Sequence, residues 1–393
     1  MNKNKAVMSS AIVLYFVICL EILIMISPFA GLFYTVFNPF LLETAKHPAT
    51  RWLSSFFLPH MVVPPDAFLK FIRIIGSVLF VGGIVVFLTC AVQVYASKIF
   101  RKGAVSKVLY SLIRHPQYLG LGITGIGLSI LWPRFLVAVL WLAMVLIYYF
   151  LSKDEERRML REHPAAYKEY MGRTGMFLPK SIEHYLAPSN VSGKIVLFGL
   201  IASFTVGGAF FLRDYTIRHL PLWTDTNVVA LALLPDDLEK MEHRMGDILK
   251  MEAVKARLKS NDHYLVYFLP PNYIMQGLIA DTGGEWKLYK HRHTIGMFAD
   301  WIIHPFSHLK EGHHMMHGAE GHAGHRMSMG VERRLLFLKV EKVAADTPYE
   351  VFSIGAERTP EFMVDMDIHT LTIHDLKELP KDTGWGKVPT PIF

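Results

Sequence analysis

Five stretches of this chain are too apolar and too long to read as ordinary surface helices, and they decide what it folds into. Residues 11–37 read AIVLYFVICLEILIMISPFAGLFYTVF, and residues 73–96, 118–133, 134–151 and 194–212 are four further apolar runs. An α-helix rises about 1.5 Å per residue, so a run of about twenty such residues matches the hydrocarbon thickness of a bilayer. The third and fourth runs meet at Trp132-Pro133-Arg134, which marks a tight hairpin between two spans. The expected architecture is therefore a polytopic α-helical membrane domain of about five spans, followed by a soluble α+β domain. The division runs as an N-terminal anchor and external loop over 1–70, a membrane domain over 71–192, a fifth span over 193–213 and an external domain over 214–393.

Basic residues orient these spans. Lys3 and Lys5 precede the first. Lys98, Arg101, Lys102, Lys107 and Arg114 lie between the second and third, and Lys153, Arg157, Arg158 and Arg161 follow the fourth. With five spans all three clusters share one side, which makes the N-terminus cytoplasmic and carries residues 214–393 across an inner (plasma) membrane. The net charge of +7 then reflects clusters that flank membrane spans and calls for no nucleic-acid partner. The first apolar run exceeds a signal-peptide core in length and reads as a retained anchor. Cys19 and Cys90 both sit in apolar runs, so there is no disulfide framework and no CxxC metal pair. Glu21, midway along the first run, needs a partner or a role there.

Between the first two spans, residues 38–70 include Pro39, Pro59, Pro64 and Pro65 with Trp52, Phe56 and Phe57, the composition of an irregular loop with a short interfacial helix. Residues 97–112 form a basic amphipathic stretch suited to the membrane surface. Past Asp214 the pattern changes. Leu238, Met241, Met245, Ile248 and Leu249 recur at helical spacing behind Pro235-Asp236-Asp237. The segments 263–269, 333–343 and 350–354 are rich in β-formers, and Phe362, Val364, Met366 and Ile368 alternate with polar or mixed neighbours as in a half-buried strand. An antiparallel sheet is the expectation for this domain.

One cluster of motifs carries chemistry. Arg114-His115-Pro116-Gln117-Tyr118-Leu119-Gly120 precedes the apolar hairpin, and Asp154-Glu155-Glu156 follows it. Tyr167, Tyr170 and the run Thr174-Gly175-Met176-Phe177-Leu178-Pro179 come next. This order resembles the isoprenylcysteine carboxyl methyltransferase and phospholipid N-methyltransferase family over about residues 70–185. The resemblance implies an integral-membrane enzyme that moves a methyl group from S-adenosylmethionine to a membrane lipid or another membrane-soluble acceptor. It also implies that His115 and Tyr118 contact the cofactor, that Glu155 and Glu156 supply its acidic contact, and that Tyr167 and Tyr170 pack the return segment closed by Pro179.

Methyl transfer from a sulfonium depends mostly on positioning and desolvation. Arg114, His115 and Tyr118 suit the carboxylate and ring edges of such a donor, while Glu155 and Glu156 suit its ammonium or ribose. A short hairpin of two spans returns Glu156 to the membrane face that holds His115. Gly120 and Gly122 admit two readings: close helix packing through small residues, or approach of backbone to the nucleoside. The prenylcysteine enzymes place arginines shortly before the glutamates, where this chain has Tyr148-Tyr149-Phe150-Leu151 and only Lys153 nearby. That departure argues against a carboxylate acceptor. A competing reading is a non-catalytic membrane subunit whose external domain binds a protein partner or a metal.

Nine of the nineteen histidines fall between 291 and 325, within a His/Met-rich segment over 291–329. His304 and His308, and His313 and His317, have i,i+4 spacing, which on a helix turns both imidazoles to one ion. Imidazole favours zinc or copper(II), and thioether favours copper(I). Glycines at 312, 318, 321 and 324 oppose a rigid helix through the second pair. A metal-indifferent loop, metal binding without catalysis and a catalytic metal all remain open at this point.

Overall fold

A computed structural model describes residues 43–44, 46–59, 62, 64–100, 108–270, 331–342 and 347–379. The first apolar run, Glu21 and the His/Met-rich segment with His304, His308, His313 and His317 lie outside these residues. The described chain forms two units, Ala67–Arg213 in one and Asp214 onward, with the stretch before Ala67, in the other.

The first unit is helical. α1 (Ala67–Ile99) is followed by α2 (Pro116–Leu131), α3 (Phe135–Glu162), α4 (Pro164–Arg173), α5 (Lys180–Leu186) and α6 (Val191–Arg218). Three of these, α1, α3 and α6, are long and apolar enough to cross a membrane. α2 is apolar but has only 16 residues, about 24 Å of rise, less than the hydrocarbon thickness of about 30 Å. Among the described residues there are thus three long apolar helices and a C-terminal sheet domain; the first of the five expected spans lies outside these residues.

Local sequence explains the helix boundaries. Pro116 and Pro164 occupy the first turns of α2 and α4, where a missing N–H costs nothing and the fixed φ already suits a helix. Pro133 breaks the chain between α2 and α3, and the Arg134 side chain that follows is wholly buried. Packing of α1 on α2 runs through glycines spaced seven apart on each helix. A Cβ added at Gly83 would meet the Gly120 carbonyl oxygen at 2.6 Å, and one at Gly127 would reach the Gly76 carbonyl oxygen at 2.7 Å. Only hydrogen fits at these crossings, which lets the two backbones touch.

The second unit is built on a six-stranded sheet in sequential order: β1 (Leu222–Thr224), β2 (Val228–Ala232), β3 (His263–Leu269), β4 (Glu332–Glu341), β5 (Glu357–Asp367) and β6 (Thr372–Glu378). All neighbours pair antiparallel except β2 and β3, which are parallel. The expected all-antiparallel sheet is corrected at that point. The cause is α7 (Leu238–Lys250), the helix the periodicity indicated, which forms the crossover a parallel pair requires.

Both faces of the sheet are covered. Val228, Ala230, Tyr264, Val266 and Phe268 pack with Met241, Met245 and Ile248 of α7, while Leu231, Leu265, Tyr267 and Met363 pack with Val62, Val351 and Phe352 on the other side. Burial on two sides explains why β2 reads as an unbroken apolar run. Segment 350–354, expected as strand, instead enters a 3-10 turn over Pro348–Phe352 that presents Val351 and Phe352 to this core. Phe56 and Phe57, expected at headgroup level in a loop, are also buried; a 3-10 turn over Arg51–Ser54 precedes them.

Candidate functional site

The site begins where the chain enters α2. Ile113 bridges Gly175 in parallel. The Gly175 N–H donates to the Leu112 carbonyl at 3.2 Å, the Arg114 N–H to the Gly175 carbonyl at 2.8 Å and the His115 N–H to the Met176 carbonyl at 3.1 Å. A short piece of strand pairing therefore clamps 112–115 to the return segment 174–176. Glu183 in the first turn of α5 fixes that segment from the other side. Its Oε2 accepts the backbone N–H groups of Met176, Phe177 and Leu178 at 2.5, 3.2 and 3.4 Å.

Upon this frame the charged side chains converge. Arg114 Nε donates to Glu156 Oε1 at 2.7 Å, and its Nη1 donates to the Thr174 carbonyl. Lys153 Nζ reaches the other Glu156 oxygen at 2.8 Å. The Arg114 and Glu156 side chains are both buried, so each satisfies a charge that would otherwise be costly in the interior. Glu155 comes next on α3 and, about 100° further round, takes different partners. Tyr118 donates its hydroxyl to Glu155 Oε1 at 2.6 Å, and His115 Nδ1 stands 3.4 Å from Glu155 Oε2. The Glu155 side chain keeps 42% of its surface exposed, against 4% for Glu156.

His115 is buried, with Nε2 at 3.7 Å from Glu156 Oε1, beyond hydrogen-bond reach. Burial alone would disfavour its protonated form, but the Glu155 and Glu156 carboxylates outweigh that and hold the imidazole above its ordinary value. The ring stacks on Tyr118 at 5.8 Å between centroids, Tyr118 stacks on Tyr148 at 5.0 Å, and Phe177 lies 6.0 Å from His115. Tyr170 donates its hydroxyl to the Tyr110 carbonyl at 2.6 Å and neighbours Tyr167, binding α4 to the stretch before α2.

The hairpin thus brings together Arg114, His115, Tyr118, Glu155 and Glu156 from either side of about forty intervening residues. Gly120 is placed differently: its open side faces Gly83 and Phe87 of α1, so packing accounts for it. At Gly122 an added Cβ would meet nothing within 4 Å, and the carbonyl accepts a hydrogen bond from Trp141 Nε1 at 2.9 Å. Sequence reasoning missed Thr174 as a partner of Arg114, because the contact is to backbone, and missed Glu183. It also passed over Ser152, wholly buried one turn before Glu156, with Tyr148 a further turn back. The polar residues at 148, 152 and 156, four apart and so on one face of α3, were the available signal. No family model, curated protein or solved structure matches this chain.

Proposed function

We propose that this protein is an integral-membrane methyltransferase that binds S-adenosylmethionine beside Glu155, His115 and Tyr118 and methylates a lipid-like or membrane-soluble acceptor. The observation that carries the reading is the division of labour between adjacent glutamates. Arg114 and Lys153 neutralise Glu156, which belongs to the frame. Glu155 stays half exposed, with a phenol and an imidazole turned to it. An accessible carboxylate flanked by aromatic rings suits a ligand with an ammonium, a sulfonium and ribose hydroxyls. When bound, the donor supplies an electrophilic methyl group. The chain supplies position and exclusion of water, through the α2–α3 hairpin and the clamped return segment.

The reading includes a topology: this cluster on the cytoplasmic side, the N-terminus cytoplasmic, and residues 214–393 external. Protease added to intact spheroplasts, for a Gram-negative host, then digests the sheet domain and spares the residues before α2.

Titration calorimetry on the detergent-purified full chain tests the function. S-adenosylmethionine and S-adenosylhomocysteine are expected to bind, and Glu155→Ala and His115→Ala to weaken both without unfolding the helices. Absence of heat with either ligand rejects the reading. One observation favours a second reading, a non-catalytic membrane subunit: the cations best suited to a donor carboxylate, Arg114 and Lys153, are already engaged by Glu156. The same titration separates the two.

A further inference from the structure

The two edges of the His115 imidazole are held differently. Its Nδ1 faces the Glu155 carboxylate, while buried Nε2 makes no hydrogen bond among the described residues. Ser152 Oγ is a second such atom: the residue is wholly buried and its hydroxyl has no partner among the described residues. The two are linked through α3. Glu156, one turn beyond Ser152, stands 3.7 Å from Nε2. Tyr148, one turn before Ser152, stacks on Tyr118, which stacks on His115. Contacts to the His115–Tyr118 pair thus bracket Ser152 along the helix.

Orphaned buried polar atoms are costly, and two of them around one polar cluster mark a place where a ligand atom completes the bonding. A carboxylate acceptor is a poor match. It needs a cation, and both Arg114 and Lys153 are bonded to Glu156; being already anionic, it also needs no base. An acceptor whose nucleophilic atom carries a proton matches both orphans. Its N–H or O–H donates to Nε2, and Ser152 Oγ holds a neighbouring polar atom of the acceptor, which leaves the nucleophile's electron pair free for the methyl carbon.

Resting on the methyltransferase reading above, we infer that His115 Nε2 is the general base of the reaction, oriented by Glu155, and that Ser152 positions an acceptor bearing an N–H or O–H nucleophile. The acceptor's proton passes to the Nε2 lone pair. The acceptor atom's electron pair forms the bond to the methyl carbon, and the pair from the broken carbon–sulfur bond stays on sulfur, which becomes a neutral thioether. The imidazolium so formed sits between Glu155 and Glu156. The groups facing it are those carboxylates from α3 and the Tyr118 phenol from α2, with uncharged Phe177 from the return segment; Arg114 and Lys153 stay on Glu156. Burial pulls against the charge of this imidazolium, and the Glu155 and Glu156 carboxylates on either side of it hold its proton more firmly than an ordinary histidine does.

Nitrogen NMR of the full chain in micelles, selectively labelled at histidine and assigned by loss of signal in His115→Gln, tests the base. The neutral ring is expected to carry its proton on Nδ1, and Glu155→Gln to move its titration to lower pH. A neutral ring protonated at Nε2, or an imidazolium that persists to about pH 9, well above the ordinary histidine range, overturns the proposal. S-adenosylhomocysteine calorimetry on the same sample reports separately on the parent reading. Tritiated S-adenosylmethionine with a lipid extract of the host membrane tests the acceptor. Alkali-stable label supports it, with transfer at least tenfold lower in Ser152→Ala at unchanged S-adenosylhomocysteine affinity. Label released by alkali as methanol identifies a methyl ester and overturns it.

Discussion

Gly120 of α2 lies so close to Gly83 of α1 that a Cβ at position 120 would stand 3.0 Å from the Gly83 carbonyl oxygen and 2.9 Å from the Phe87 nitrogen. Both neighbours are helix backbone and cannot yield without moving α1. Gly120→Val is therefore expected to destabilise the first unit by about 1–3 kcal/mol, the usual cost of overpacking. Gly122→Ala, with open space around it, is expected to leave stability unchanged. Thermal unfolding of the two variants in the same detergent checks the contrast; equal losses would remove the packing argument.

Arg114→Ala strips Glu156 of its shortest ion pair and Thr174 of a donor. Breaking one side of a buried pair costs about 3–5 kcal/mol, and Lys153, which remains on Glu156, keeps the loss toward the lower end. Arg114→Lys restores charge without the fork that spans both partners, so it is expected to recover only part of the lost melting temperature.

Glu183→Ala leaves three backbone N–H groups of the return segment without their common acceptor. Amide exchange at Met176, Phe177 and Leu178 is expected to quicken at least tenfold, with little change in α3. Unchanged protection at these three amides would show that the strand-like clamp to 112–115 holds the segment unaided.

His115 gives a pH dependence with a definite sign. Burial opposes its charge, yet Glu155 and Glu156 raise it in the folded state. A raised folded value means a contribution fully present below the unfolded value of about 6.5 and lost as pH rises through the folded one. His115→Gln is therefore expected to lower the melting temperature more at about pH 6 than at about pH 9. A deficit that grows with pH would reverse the assignment.

In the second unit, Asp237 Oδ1 accepts from Arg333 Nε and Nη2 at 3.0 and 2.6 Å and lies 3.3 Å from Lys240, with the Asp237 and Arg333 side chains buried. Asp237→Asn removes the negative charge both cations address and is expected to cost about 3 kcal/mol or more. Replacing Asp237 and Arg333 together by leucines is expected to recover most of it. Denaturant unfolding of the full chain, followed at the sheet, reads both.

The parts of this fold that sequence conveys are those written in periodicity. The apolar run of α1, the spacing of Met241, Met245 and Ile248, and the alternation around Val364 each report which side chains must leave water. The meeting of His115 with Glu156 follows from helix length, since two apolar helices joined at Pro133 return the chain to where it entered. What stays hidden is carried by backbone or by distant neighbours. Arg114 bonds a carbonyl at Thr174, which no side-chain pattern encodes. The parallel pairing of β2 with β3 depends on where α7 packs, and β-formers at Val351 and Phe352 serve the core from a turn. Ser152 was within reach, as a hydroxyl at the end of the apolar run of α3 in register with Tyr148 and Glu156.

The clamp between Ile113 and Gly175 also sets an order of events during synthesis. Its two strands are separated by the whole α2–α3 hairpin and α4, so nothing at 112–115 can be fixed until the chain has been made past Glu183, whose carboxylate seats the return segment. Contacts of such wide sequence separation form late, whereas the α1–α2 glycine crossing joins neighbouring helices and can form as soon as both have been made. A ribosome paused between these points would hold a packed helix pair beside an unassembled charge cluster. Arg114 would then still lack the seated return segment that carries its Thr174 partner.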